Sequence, residues 1–183
     1  MIYIIVGIIV LVSIILILEI TFYNKFQVAR IRISEAENNI DILLQKKLVL
    51  LERVIKVIEE ANPKYKDDQI LINVIKLKNK KVNNFELNEE LDKAIAEYKG
   101  IMDLDSKLGN VESLININYD LTNVDNDLIA AKKFYNRTII SYNRLVQCFP
   151  SNIVGSLFKY KRKEFYSEER EEVFEILKKN KKK

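Results

Sequence analysis

Side chains that could carry a reaction are few in this sequence of 183 residues. It contains no histidine, which removes the commonest general base and the commonest metal ligand. Cys148 is the single cysteine and has no histidine to activate it, so we expect a small buried or half-buried side chain rather than a nucleophile. The four glycines are scattered, so the chain has no glycine-rich phosphate loop. The sequence predicts no catalytic residue and no enzyme activity.

Carboxylates occur in pairs that could hold metal ions inside a helical bundle. The dinuclear pattern of such bundles needs a Glu-x-x-His motif, which a chain without histidine lacks. The pairs flank apolar rows or predicted helix ends, where solvated faces and caps explain them: Glu59/Glu60, Asp67/Asp68, Glu89/Glu90 and Asp125/Asp127. We therefore expect no metal ion and no cofactor.

Positive charge is concentrated near the carboxyl end. Residues 159–183 hold ten Lys or Arg and six Asp or Glu, so the whole net charge of +4 belongs to them. Aromatic residues alternate there with four basic ones, which are the candidate lipid contacts: Lys159, Lys161, Arg162 and Lys163. Such a segment suits an anionic bilayer surface, where each basic residue contributes about 1 kcal/mol. The alternative is a solvated tail, and four cations in an otherwise neutral chain do not predict nucleic-acid binding.

The dipeptide Tyr-Asn occurs twice, seven residues apart, within a helical pattern over residues 114–145. Apolar residues recur there at steps of three and four. Tyr135 and Tyr142 occupy equivalent places in successive heptads, so we expect them in a packed seam. Asn136 and Asn143 lie one position round, where each either hydrogen-bonds a neighbouring helix or is solvated. Together these four residues form a candidate surface for a ligand or partner.

The elements that position these residues begin with eighteen residues that carry no charge, MIYIIVGIIVLVSIILIL. As a helix they would be about 27 Å long, close to the roughly 30 Å of a bilayer's hydrocarbon core. Tyr3 near one end, and Phe22 and Tyr23 near the other, suit the two interfaces. A cleaved signal peptide would need basic residues before the run and small residues after it, and both are missing. We predict a transmembrane anchor over residues 1–22.

The orientation of the anchor follows from the charges beside it. Lys25, Arg30 and Arg32 come after the apolar run and nothing basic precedes it. The positive-inside rule then places the amino terminus outside and the rest of the chain in the cytoplasm. The expected location is a cell membrane, crossed once.

The remaining sequence predicts four helices and few breaks. No Gly or Pro interrupts residues 19–61, so the anchor should continue into a long helix that ends at Asn62-Pro63. The apolar row of this helix has Lys47 as its single polar member. Two shorter helices are expected over about 65–82 and from Asn88, as N-cap, to about 104, followed by a long one over about 110–148.

If these helices alternate in direction, the fold is all-α, with an N-terminal transmembrane helix followed by a long antiparallel, up-and-down four-helix bundle. The predicted domains are the anchor at 1–22, the bundle at 23–150 and a basic, aromatic tail at 151–183. Ser167 is expected to begin a short helix in this tail.

The stretch AAKKFYNRTIISYNRLVQCFPSN (130–152) resembles the C-terminal signature of the LemA family. In that family a basic residue precedes Tyr-Asn, a second Tyr-Asn follows seven residues later, and Phe-Pro-x-Asn comes next. LTNVDNDLI before it, and Tyr23-Asn24, Arg30 and IDILLQKK (40–47), are also similar to the family, whereas Val49, Glu52, Arg53 and Asp105-Ser106 depart from it. The resemblance implies a single-pass bacterial membrane protein with a cytoplasmic antiparallel helical bundle and no established enzymatic activity.

Two functions fit these features. The first is a non-catalytic scaffold that presents a helical surface to an unidentified membrane or envelope protein. The alternative is a membrane-organising element whose basic, aromatic tail contacts lipid. Both place the protein on the lipid bilayer, and both leave open a homo-oligomer.

Overall fold

The computed structural model describes residues 1–65, 84–105 and 107–166, and every regular element in these ranges is helical. The helices are α1 (Ile2–Ala61), α2 (Asn84–Leu104), α3 (Glu112–Gln147) and α4 (Ser151–Leu157), with 3-10 turns at Pro63–Tyr65 and Leu108–Asn110. The predictions of an all-helical chain and of an apolar N-terminal helix are confirmed for these residues.

Helix α1 continues from the apolar run into the packed part of the chain without a break, as predicted. It ends at Ala61, where the side-chain oxygen of Asn62 accepts a hydrogen bond from the backbone N–H of Lys64 at 3.2 Å. The side chains of residues 1–18 are all exposed, and by length and composition this part of α1 could cross a membrane.

Two local predictions are wrong. Helix α2 begins at Asn84, so Asn88 is not its N-cap; Asn88 is buried inside the helix and donates a hydrogen bond from Nδ2 to Asp92 Oδ2 at 2.9 Å. A partner one turn along the same helix lets the backbone continue through an asparagine that otherwise favours caps. Cys148 is exposed, because it follows the last residue of α3 in the turn towards α4.

Other predictions concern the ends of elements. Helix α3 matches the long helix expected over about 110–148. Helix α4 was not expected, since the sequence suggested a tail from residue 151. The helix predicted over about 65–82 and the one predicted to begin at Ser167 lie outside the described residues.

The chain divides into two compact units. The first contains residues 1–37 and 133–183, and the second contains residues 38–132. The predicted domain boundaries at residues 22 and 150 follow sequence features instead of contacts, and they stay a prediction.

In the second unit α1 and α2 run in the same direction. Lys47 of α1 contacts Asp92 of α2, and further along both helices Asn62 Nδ2 donates a hydrogen bond to Asp105 Oδ2 at 2.9 Å. Helix α3 runs in the opposite direction to α2: Asp125 meets the same Lys47 as Asp92, whereas the earlier Asn118 of α3 lies beside the later Tyr98 of α2. These directions are those of three members of an up-and-down arrangement.

The first unit is built on a small core around Phe26. Phe26 and Ile33 from α1 pack with Ile139 and Tyr142 from α3 and with Val154 from α4, and all five are buried. The Phe26 ring is fully buried and meets the Tyr142 ring edge-on, with 6.1 Å between centroids. This core therefore forms only a few residues beyond the apolar run.

Helix α4 packs closely on this core because Gly155 has no side chain. A Cβ at residue 155 would lie 3.1 Å from Phe26 Cζ and 3.8 Å from Val146 Cα. We expect Gly155→Ala to lower the free energy of unfolding by about 1–3 kcal/mol, because overpacking forces buried side chains out of place. Denaturation of the full-length protein in nanodiscs, followed by circular dichroism, measures this.

Gly100→Ala is the matched control, because Gly100 is also helical and a Cβ there meets nothing within 4 Å. This substitution should stabilise the protein by up to about 1 kcal/mol through helix propensity. Changes of the same sign at both glycines would contradict the close contact of Gly155 with Phe26.

Candidate functional site

Residues 160–166, which we call the strap, have no regular secondary structure, and the asparagines of the two Tyr-Asn pairs bind their backbone. Asn143 Nδ2 donates to the carbonyl of Lys163 at 2.8 Å, and Asn143 Oδ1 accepts from the N–H of Lys163 at 2.9 Å. Asn136 Oδ1 accepts from the N–H of Tyr166 at 2.8 Å. Asn143 thus satisfies both backbone groups of one strap residue, as a neighbouring strand would.

The heptad spacing of the two asparagines matches the length of the strap. Seven residues of α3 advance about 10.5 Å along the helix. Three residues of chain, from Lys163 to Tyr166, reach at most about 10–11 Å when fully extended. The strap is therefore stretched along α3, and Asn136 and Asn143 hold it at both ends of this interval.

Burial excludes solvation, one of the two alternatives considered from the sequence, for both asparagines. Both bind backbone groups of the strap, a partner that the sequence did not suggest. The sequence signal that could have identified this role is the seven-residue repeat itself. The segment that these asparagines bind, the strap, lies twenty to thirty residues further along the chain, and its sequence has no pattern that would indicate the contact.

The tyrosines of the two pairs lie in the packed seam, as predicted. Tyr142 is buried against Phe26, and half-buried Tyr135 packs against the same core and meets the Tyr166 ring edge-on at 6.3 Å. A partner surface formed by Tyr135, Asn136, Tyr142 and Asn143 stays a prediction. In the first unit these residues are occupied mainly in holding the strap and the core.

The aromatic residues near the strap pack against α1. The Phe158 ring lies 5.0 Å from the Tyr23 ring, and the Tyr160 ring lies 4.6 Å from the Phe26 ring. Gln27 Nε2 also donates a hydrogen bond to the Tyr160 hydroxyl at 2.9 Å. The segment predicted as a tail is thus attached to the folded unit up to Tyr166.

The four basic candidates for lipid contact occupy different environments. Lys159, two residues after the end of α4, has the left-handed conformation, with φ 56°. The N–H of Tyr160 donates to the carbonyl of Gly155 at 2.8 Å, and together these features form a Schellman cap. Lys161 and Arg162 are exposed on the strap. Lys163 Nζ lies 3.8 Å from Glu37 Oε1, both half-exposed. The first three are free to face a surface.

Burial raises the pKa of several tyrosines. For Tyr135, burial, the charge of Glu37 and a hydrogen bond with Glu37 all raise the pKa. For Tyr142, burial raises the pKa, while Arg30 lowers it in part. Burial also raises the pKa of Tyr98 in the second unit. Above about pH 10, the folded state therefore keeps protons on these phenols that the unfolded state releases.

This difference predicts a loss of stability in alkali. The stability contribution of these protons is complete below the unfolded pKa of about 10.0 and decreases as the pH rises through the folded values. Denaturation at a series of pH values should show the free energy of unfolding falling above about pH 10, with a shallower fall after Tyr135→Phe and Tyr142→Phe together. Tyr119→Phe, at a position 70% exposed, should leave the slope unchanged. Equal slopes in all three proteins would contradict this assignment.

The second unit contains a buried ion cluster that the sequence analysis missed. Lys47 is 1% exposed, and its ammonium lies 2.5 Å from Asp92 Oδ1 and 2.6 Å from Asp125 Oδ1. One cation thereby joins α1, α2 and α3. The Asp125 side chain is 41% exposed, in keeping with the expected solvated face, but its carboxylate also pairs with Lys47, which the sequence did not predict. The available signal was a lone lysine in an apolar row.

This cluster does not resemble a metal site. The described residues contain no group of three or more His, Cys, Asp or Glu placed to hold a metal ion. The Lys47 ammonium already lies between the two carboxylates, where a bound cation would otherwise have to sit. Its chemistry is that of a cross-link between helices.

A groove of about 760 Å³ lies between α1 and α3 in the first unit. Its lining residues are Asn24, Lys25, Val28, Ala29, Arg32, Glu35, Phe134, Arg137, Thr138, Ser141 and Leu145. No residue of the strap is among them, so the groove and the strap use different faces of the same helix pair. Sequence analysis did not identify this groove, because it depends on how the two helices pair.

Most of the residues described above lie within a match to a known protein family. The model of the LemA family matches residues 36–176, a range that includes Lys47, both Tyr-Asn pairs and the whole strap. The apolar run and Tyr23-Asn24 precede the matched range. Among curated proteins, none matches this chain. The family match spans well over half of the sequence and contains the signature that holds the strap, and the chain belongs to the LemA family.

Proposed function

We propose that this protein is a non-catalytic, single-pass membrane protein that presents its helical bundle to a partner protein of the membrane or envelope. The observation that carries the proposal is the continuity of α1. Residues 1–18 are uncharged and exposed, and Phe26 on the same helix is fully buried in the first unit. A bundle joined so directly to a span would be held against the bilayer surface.

The finer arrangement belongs to the same proposal. The proposed bundle is an antiparallel, up-and-down four-helix bundle. By the positive-inside rule, Lys25, Arg30 and Arg32 support a location of the bundle on the cytoplasmic side of a bacterial cell membrane. The parallel course of α1 and α2 and the return of α3 support this topology.

Crosslinking in intact membranes tests the proposal. A lysine-reactive crosslinker applied before solubilisation should couple the tagged full-length protein reproducibly to the same partner protein. Alkaline carbonate should leave the uncleaved chain in the membrane pellet. Repeated recovery of no protein, or of this chain alone, would contradict the scaffold, and release by carbonate would contradict the anchor.

A second candidate function, contact of the basic segment with lipid, is favoured by one observation. The Phe158 ring packs on Tyr23, at the end of the predicted anchor, with 5.0 Å between centroids. This contact would bring exposed Lys159 and Lys161 to the level of the headgroups, where basic residues are attracted to anionic lipids.

Spin-label depth measurements test lipid contact. The label is placed by Ser156→Cys on a Cys148→Ser background, and the full-length protein is compared in zwitterionic and anionic nanodiscs. Anionic lipid should draw the label closer to the bilayer, and glutamine at Lys159, Lys161, Arg162 and Lys163 should abolish the difference. A control set of exposed residues in the second unit should retain it: Lys46, Arg53, Lys56 and Lys99 changed to glutamine. Equal depth in both lipids would exclude this function.

A further inference from the structure

We infer that the groove between α1 and α3 is the docking site for an acidic amphipathic helix that adjoins the transmembrane segment of another membrane protein. The inference rests on the proposed scaffold function and names its surface and the chemistry of its partner. Shape, charge and distance from the anchor support it separately.

The walls of the groove leave large apolar side chains uncovered. Val28 on α1 is 50% exposed and Phe134 on α3 is 52% exposed, beside half-buried Ala29 and Leu145. In the first unit α1 and α3 are antiparallel, since Phe26 meets Tyr142 and Glu37 lies beside Tyr135. A pair of antiparallel helices offers a furrow into which the ridge of a third helix packs. An apolar ridge would cover Val28 and Phe134.

The rim of the groove is positively charged, which favours a partner with negative charge. Lys25, Arg32 and Arg137 line it, and Glu35 is the single acidic residue among the lining side chains. Within the described ranges, Arg32 and Arg137 form no ion pair with a carboxylate. A helix with Asp or Glu beside its apolar ridge would therefore find complementary charges along the groove.

The distance from the anchor favours a protein over a lipid. Measured from residue 22, the end of the predicted anchor, Lys25 lies about 5 Å further along α1 and Arg32 lies about 15 Å further along. The headgroup layer on one side of a bilayer is only about 5–8 Å thick. An anionic lipid could meet Lys25, but it could not reach Arg32 or cover Phe134. The occupant must extend from the membrane surface as a folded segment.

The same charges argue against a second copy of this chain. Two copies anchored in one membrane would be related by an axis along the membrane normal, which places each groove residue at the height of its own equivalent. Lys25 would then face Lys25, and Arg32 would face Arg32. Such like-charge pairs oppose association.

Photocrosslinking from inside the groove tests the inference. A photoreactive phenylalanine analogue replaces Val28 in the full-length protein in its own membrane, and the crosslinked peptide is identified by mass spectrometry. We expect a peptide close to a transmembrane segment, with an apolar face bordered by Asp or Glu. The same analogue at Ile140, which is 36% exposed outside the groove, should not give this product.

Charge removal provides the second arm. Glutamine at Lys25, Arg32 and Arg137 should lower the crosslinking yield from residue 28 by at least about tenfold. Glutamine at Lys46, Lys133 and Arg144, which are exposed and outside the groove, removes the same charge and should change the yield less than about twofold. Circular dichroism confirms that both variants are folded.

Each other outcome overturns the inference. Crosslinking to phospholipid alone, to a second copy, or to a segment without acidic residues would give the groove a different occupant. An unchanged crosslinking yield after glutamine replaces Lys25, Arg32 and Arg137 would show that charge does not select the partner. If residue 28 captures nothing while the lysine-reactive crosslinker recovers a partner, the groove is wrong and the scaffold stands. If neither recovers a partner, both proposals fail.

Discussion

Alanine at both Asp92 and Asp125 should lower the free energy of unfolding by about 3–5 kcal/mol. The cause is the ammonium of Lys47, which is 1% exposed and would lose both of its carboxylate partners. A buried charge without a partner costs several kcal/mol, because neither water nor a counter-ion replaces what was removed. The half-exposed carboxylates place the expected loss near the lower end of this range.

The reverse substitution should cost much less. Lys47→Met removes the buried charge and keeps a side chain of similar length, so the expected loss is within about 1 kcal/mol. The carboxylate side chains left behind are 51% and 41% exposed and can be hydrated. Combining Lys47→Met with both alanines should restore stability to within about 1 kcal/mol of the wild type.

Denaturant titration of the four full-length proteins, followed by circular dichroism, measures this cycle. The informative quantity is the difference between the double alanine variant and the triple variant. If removing Lys47 does not rescue the double alanine variant, the loss comes from the aspartates themselves and not from an unpaired ammonium.

Asn143→Ala is expected to free the strap and to lower the free energy of unfolding by about 2–3 kcal/mol. It removes two hydrogen bonds at 2.8 and 2.9 Å and leaves the N–H and carbonyl of Lys163 without these partners. Local opening should let trypsin cut after Lys161, Arg162 or Lys163 at least about tenfold faster, since cleavage requires a backbone free of the fold. The rate of appearance of the shortened chain measures the opening.

Two variants make this result specific. Asn143→Asp keeps the acceptor for the N–H of Lys163 but loses the donor to its carbonyl, so its cleavage rate should be intermediate. Asn126→Ala, on an exposed position of α3, should leave cleavage unchanged. Cleavage of Asn143→Ala at the wild-type rate would show that the packing of Tyr160 and Phe165, and not Asn143, holds the strap.

Local patterns in the sequence predicted the helical elements well. The absence of Gly and Pro over residues 19–61 gave one continuous helix, and Asn62-Pro63 marked its end. The three- and four-residue steps after residue 114 identified α3 and the packed side of Tyr142. These features depend on the period of one helix, which the sequence contains in full.

Contacts between distant segments were not predictable in the same way. Lys47 is 45 residues from Asp92, and nothing near either residue indicates that they meet. Asn143 shows that an amide is available but not that the backbone of residue 163 will occupy it. The groove likewise requires the pairing of α1 with α3, which periodicity leaves undetermined. Two features of the sequence could have indicated a distant partner: a lone lysine in an apolar row, and an asparagine repeated after seven residues.

The unbroken helix between the apolar run and Phe26 has a consequence for the rotational orientation of the apolar run. Successive residues of an α-helix are rotated by about 100° around its axis. Because α1 is continuous, the direction in which Phe26 points determines the direction of every side chain from Ile2 to Leu18. Inserting one alanine between Ile20 and Thr21 would turn that segment by about 100° while the core around Phe26 keeps its contacts. The sequence therefore fixes the rotational orientation of the apolar segment as well as its connection to the core. Any contact that this segment made with another helix in a bilayer would depend on that orientation.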